Sequence, residues 1–178
     1  MSDDGGMTMN RVENMREHVD EILRNINNIR NTRTAYAHLY GVAQICAMIA
    51  IKRKADVELS IMAGMLHDLY TYKRKEEVRH LGMEAIEYVI KNHRVDGAIW
   101  LREILPKWGL TTDEETNILC DAIQGGVSED HKTMEIEKIV NDANILQFYF
   151  YNPIEPQIKL NKNRVDNLLF EFGLIFNE

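Results

Sequence analysis

Apolar residues recur every three or four positions along most of this chain, and only three prolines, Pro106, Pro153 and Pro156, interrupt it. That spacing puts an apolar stripe on each of a series of helices, and such a stripe has to be covered by another helix. The clearest stripe is Val12, Met15, Val19, Ile22, Leu23, Ile26 and Ile29, with charges on the opposite side. No segment shows a convincing strand pattern, and there is no internal repeat or low-complexity tract. The chain is therefore predicted to be all-α, an irregular bundle of roughly seven to eight helices.

Taken in order, the spacing predicts helices over 11–30, 36–54 and 57–67, the third behind an Asp56 cap, with a polar break at 27–34. A loop follows, carrying Tyr70, Thr71, Tyr72, Lys73, Arg74 and Lys75. Helices are then expected over 81–92 and 95–105, the latter broken by Pro106 to Gly109. Thr112 with Glu115 three residues on is a capping-box signature for the next helix, which Gly125-Gly126 ends. A polar loop at 127–133 leads into a helix over 134–151. The NPIEP segment is a turn, and a last amphipathic helix carries Val165, Leu168, Leu169, Phe172 and Phe176.

A length of 178 residues suits one domain, with roughly 70% of the unfolded chain's surface buried on folding. Residues 1–10 are acidic and polar and read as a flexible tail, leaving 11–178 as a single helical domain. A net charge of −7 argues against a general nucleic-acid binder. The longest apolar stretch, Val42 to Ile51, is about half of what a bilayer span needs, so no membrane association is expected. Cys46 and Cys120 lie in apolar helical contexts and read as buried thiols of a cytoplasmic protein.

Three of the apolar helices contain polar intrusions. His67 and Asp68 close the run Ile61, Met62, Met65 and Leu66. His38 lies near the start of a long apolar helix, and Asp142 sits among Ile139, Val140, Ile145 and Leu146. Burying a charge is costly unless it is paired or bound to a metal. Imidazole nitrogen and carboxylate oxygen are common ligands of divalent cations, and bundles build metal sites from side chains projecting inward from different helices. The plainer alternative is that His67 caps a helix end and Asp68 starts a turn.

The order H…HD…D on a helical chain resembles the HD-domain superfamily of metal-dependent phosphohydrolases, over roughly Thr32 to Tyr151. The resemblance implies that His38, His67, Asp68 and Asp142 hold one divalent metal ion (Mn, Fe, Co, Ni, Zn or Mg). It implies that Asp68 also orients a metal-activated water, and that the substrate is a nucleotide or other small phosphate ester. Arg33, in a context similar to that of a nucleotidase branch, and Lys73 are candidates for binding the phosphate. His80 is a third candidate near the site, as many members carry a His in this context. His18, His93 and His131 have polar neighbours and read as surface residues.

The chain also departs from the family pattern. Many members follow His-Asp with Gly-Lys, whereas here the sequence is HDLYTYK. Members with two metals carry a later His where this chain has Gln124 and two glycines, so one metal is expected. Thr71 stands where the nucleotidase branch has an acidic residue. These departures leave open a second reading, a non-catalytic ligand-binding or regulatory module on the same fold. A third, plainer reading is a helical scaffold with no metal. The sequence does not set the oligomeric state, and a homodimer is one option.

Overall fold

The computed structural model describes residues 8–151 and 160–174, with side chains from residue 11 onward. Helix α1 spans Thr8–Arg24, α2 Ile29–Arg53, α3 Val57–Leu66 and α4 Leu69–Val78. A short 3-10 turn at Arg79–Leu81 leads to α5, Met83–Trp108, and α6, Asp113–Gln124. The chain continues as α7, His131–Tyr151, and α8, Lys162–Glu171. No strand occurs among the described residues, and the all-α bundle expected from the sequence is the architecture found.

Helix α2 is the hub, packed on α3 and α7; α5 bridges α4 and α6, α1 lies against α3, and α8 rests on α7. Burial explains why α2 is so apolar: Ala35, Leu39, Val42, Ala43, Cys46, Ile49 and Ala50 all lie in the core. Full burial of each large aliphatic side chain contributes about 1.5–3 kcal/mol, and Leu39, Leu59, Met62, Leu66, Leu69 and Leu119 fall in that class. Close approach of α2 and α3 depends on Gly64. A Cβ there would lie 2.7 Å from the Ala43 Cα and 3.0 Å from the Cys46 sulfur. Both cysteines are buried free thiols, as expected, and burial raises the Cys120 pKa to about 11.

Local chemistry sets the helix ends. Asn28 and Asp56 cap α2 and α3 by accepting from the backbone amides of Asn31 and Leu59. The Thr112–Glu115 capping box is present at α6, and Gly109, at φ 67°, ends α5 in the left-handed conformation.

Four boundaries differ from the sequence expectation, the smallest being the start of α7 at His131 instead of residue 134. The polar break shrinks to Asn25–Asn28, because Asn28 caps the helix and so α2 takes up Ile29 onward. The expected loop after Asp68 is instead α4, whose exposed face is held by pairs three and four residues apart, Arg74–Glu77 and Lys73–Glu77. The two helices expected over 81–105 are one, α5, running through Pro106 in its last turns to Trp108. A proline so near the end removes a single helical hydrogen bond there and leaves the rest of the ladder intact. Of the expected N-terminal tail, residues 1–7 lie outside the described residues and 8–10 belong to α1. The NPIEP turn and Phe176 also lie outside the described residues.

Candidate metal centre

The end of α3 and the start of α4 present adjacent polar residues to α2. His67 occupies the C-cap position of α3, and Asp68 the N-cap position of α4. Asp68 makes no side-chain capping bond, so its carboxylate is not used up in starting the helix. It faces His38 instead, with His38 Nε2 to Asp68 Oδ2 at 3.4 Å and His67 Nε2 to the same oxygen at 3.7 Å. The two Nε2 atoms are 3.1 Å apart. His38, His67 and Asp68 each offer one ligand atom, and these atoms lie within 4.8 Å of one another.

The protons on the two imidazoles are fixed from behind. His67 Nδ1 lies 2.8 Å from the Gly64 carbonyl, which can only accept, so Nδ1 carries the proton. His38 Nδ1 lies 3.1 Å from Gln147 Oε1 and donates to it. Gln147 is held close, since a Cβ on Gly41 would come within 3.2 Å of its Cγ. Burial, partly offset by Asp68, lowers the His67 pKa to about 4, so the ring is neutral at pH 7. The two Nε2 atoms therefore face each other with a carboxylate oxygen beside them. Burial opposes ionisation of Asp68, but the three imidazoles of His67, His38 and His93 outweigh it and hold its pKa well below the usual carboxylate range. Three converging acceptors repel one another unless a cation sits among them. Two imidazole nitrogens and a carboxylate fit zinc, iron, nickel and manganese alike.

Two cavities flank Asp68. The larger, about 350 Å³, is lined by His38, Asp68, Lys75, Tyr72, Phe148 and Tyr151 among others. The other, about 250 Å³, is lined by His67, Asp68, His93, Arg94, Val140, Asn141 and Asn144. Thr71 Oγ1 donates to Asp68 Oδ1 at 3.3 Å, and His93 Nε2 lies 3.5 Å from the same oxygen. Arg94 donates to Asn141 Oδ1 at 2.7 Å. A larger apolar cavity between α1, α2 and α3, about 540 Å³, is remote from this chemistry; Arg16, Tyr40 and Met65 are among its lining residues.

The structure brings His38, His67 and Asp68 together and leaves the other expected residues elsewhere. Asp142 is the main correction. It is buried at 3% side-chain exposure and accepts from Arg53 at 2.7 Å and from Arg164 at 2.7 Å. Arg53 in turn makes a two-pronged pair with Glu171, at 2.9 and 2.8 Å. Its carboxylate is thus neutralised by guanidinium groups, and it lines neither cavity at Asp68. The reason is helical rotation. Asn144, two residues on and so about 200° around α7, faces the cavity, which turns Asp142 away.

The same geometry separates Lys73 from Lys75. Because Asp68 leads directly into a helix, a residue seven positions on returns to its face, and one five positions on does not. Lys75 lines the larger cavity, while Lys73 pairs with Glu77 and lies 5.7 Å from the centre of the Trp100 ring. Arg33 is exposed, five residues before His38, whereas Thr34, four before, lines the cavity. His80 is exposed on the 3-10 turn.

His93, expected at the surface, instead stands beside Asp68. Its signal is in the sequence once α5 is read as one helix, because Val89, His93, Gly97 and Leu101 recur every four residues. Asn144 has a similar signal, four residues after Val140 and three before the buried Gln147.

A helical bundle with a His-His-Asp cluster at the junction of three helices defines a class, the helical metal-site domains. The chain matches the model of the HD domain over residues 35–163, more than half its length. It belongs to the HD-domain family, whose members bind divalent metals and form a superfamily of metal-dependent phosphohydrolases. No curated protein and no solved structure gives a significant match.

Proposed function

We propose that this chain is a single-metal phosphohydrolase that cleaves a small phosphate ester, with a nucleotide among the candidate substrates. The observation that carries the reading is the convergence of His38 Nε2, His67 Nε2 and Asp68 Oδ2, with both Nδ1 protons already committed to other acceptors. A divalent ion held there supplies charge to polarise a phosphoryl oxygen and brings the pKa of a water toward ~7.

The chain's own residues would do the rest. Asp68 keeps its Oδ1 toward Thr71, which donates to it, and toward His93, and this orientation suits the carboxylate to accept a hydrogen bond from an attacking water and so orient it. Arg94 and Lys75 place positive charge in the two cavities, where charge builds on the phosphoryl oxygens. This local charge matters because the chain carries a net −7, which would otherwise repel an anionic substrate. Tyr72, Phe148 and Tyr151 offer an apolar wall for the leaving group.

The test is turnover of an aryl phosphate ester and a nucleotide panel with added Mn²⁺, Co²⁺ or Ni²⁺, beside Asp68→Ala. Turnover that depends on added metal and is lost in D68A supports the hydrolase. A second reading, a ligand-binding module that keeps the pocket, draws on the presence of only one carboxylate in the cluster found among the described residues. Thermal stabilisation by a phosphorylated ligand without product would favour it.

A further inference from the structure

Arg94 is a half-buried cation that makes no ion pair among the described residues. Arg11, Arg53, Arg102 and Arg164, by contrast, each face a carboxylate. Arg94 follows His93 on α5 and lines the 250 Å³ cavity that also touches His67 and Asp68. Its Nη2 donates to Asn141 Oδ1 at 2.7 Å, a neutral acceptor that fixes the group without neutralising it. The turn after α6 makes room for it. A Cβ on Gly125 would press on the guanidinium, 3.1 Å from Nη1 and 3.4 Å from Cζ, so the glycine keeps its place open. Glu137 Oε1 borders the same space, but its Oε2 is taken by the Gly126 amide at 3.0 Å. A guanidinium carries five N–H donors in a planar fork that matches two oxygens of a phosphate. Asn141 uses one of them, which leaves four for a ligand.

We infer that the Arg94 cavity is an oxyanion subsite, in which the guanidinium grips two non-bridging oxygens of the phosphoryl group and, after cleavage, holds free phosphate. Asn141 and Gly125 are its positioning residues. The inference rests on the proposed hydrolase and sharpens it, because it divides the substrate between the two cavities. The leaving group goes to the other one, where Lys75 stands beside Ile90, Tyr72, Phe148 and Tyr151. Inorganic phosphate is then an inhibitor of the same site. Asp68 is itself anionic, so the subsite fills only when a cation beside His38, His67 and Asp68 cancels that charge.

The test is calorimetric titration of the full, Mn²⁺-loaded chain with inorganic phosphate, for wild type, Arg94→Gln and Lys75→Gln. The two variants lose the same charge from different cavities, and Mn²⁺ affinity is measured for each. The expected result is a fall in phosphate affinity of ~10-fold or more in R94Q, a smaller fall in K75Q, and Mn²⁺ binding in R94Q no weaker than in wild type. Folded R94Q that binds phosphate as wild type does, or that loses Mn²⁺ as well, would overturn the assignment. So would K75Q that loses as much as R94Q. If circular dichroism shows R94Q unfolded, the wild type decides. Phosphate should slow the modification of Arg94 by phenylglyoxal, read by peptide mass spectrometry, and a rate unchanged by saturating phosphate overturns the subsite. Phosphate bound through Arg94 without turnover of any ester would leave the subsite standing and end the hydrolase reading. A chain that takes up neither Mn²⁺, Fe²⁺ nor Ni²⁺ would overturn both.

Discussion

His38 and Gln147 are joined across 3.1 Å, from the imidazole Nδ1–H to the amide Oε1, although 109 residues separate them in the chain. The bond ties α2 to α7 and leaves the His38 Nε2 lone pair pointing at His67 and Asp68. Gln147 also lines the larger cavity, but toward the cation it acts by positioning His38.

Replacing Gln147 with Leu should therefore weaken Mn²⁺ binding by ~10-fold, because the ring loses the partner that fixes its tautomer. Gln147→Glu keeps an acceptor and should recover most of the affinity. Calorimetric titration reads both; equal affinity in wild type and Q147L would show that the bond does not set the tautomer.

Asp142→Asn should cost about 2 kcal/mol of stability, seen as a lower urea midpoint with an unchanged slope. Breaking a fully buried pair costs more, but Arg53 and Arg164 are 20% and 40% exposed, so water takes up part of the loss. Cation affinity should not change. A folded D142N that no longer binds Mn²⁺ would return Asp142 to the metal centre.

Gly64→Ala should destabilise by about 2 kcal/mol, since the new methyl meets backbone at 2.7 Å rather than a movable side chain. Separating α2 from α3 also shifts the carbonyl that holds His67, so G64A should bind the cation less tightly. A G64A variant as stable as wild type in urea would mean that the helices can separate at little cost.

The hydrogen bond from Arg53 holds the Glu171 pKa below its ordinary value of 4.5. A folded chain that keeps this carboxylate ionised, while the unfolded chain takes up a proton, is stabilised at higher pH. That stability is complete above the unfolded value and drains away as the pH falls through the folded one. Stability should thus drop between about pH 5 and pH 3, and Glu171→Gln should flatten the drop. Urea midpoints across that range, identical in slope for the two proteins, would exclude the contribution.

His38 and His67-Asp68 were legible because each interrupts an apolar helical stripe, and a local pattern is all that is needed to see that. Asp142 gave the same local signal for a different reason. Its partners Arg53 and Arg164 lie 89 and 22 residues away, so the pairing that explains its burial is invisible to periodicity. The stretch after Asp68 looked like a loop because its charges are dense, yet those charges pair along a helix, and its true phase selects Lys75 over Lys73. His93 was hidden by the polar Asn92-His93-Arg94 run, which looked like a break between two helices. The last two misreadings share a cause: a helix face can be assigned only when the helix has been drawn to its full length.

Helix α7 carries Asn141, Asn144, Gln147 and Phe148 toward the cavities and Asp142 toward the arginines that secure α8. Two jobs are thus kept on opposite sides of one cylinder. Mutation can try new donors, charges and shapes on the cavity side without loosening the anchor of the C-terminal helix. The anchor can likewise change without altering the chemistry. A helix arranged this way lets selection change what the pocket accepts while the architecture stays as it was.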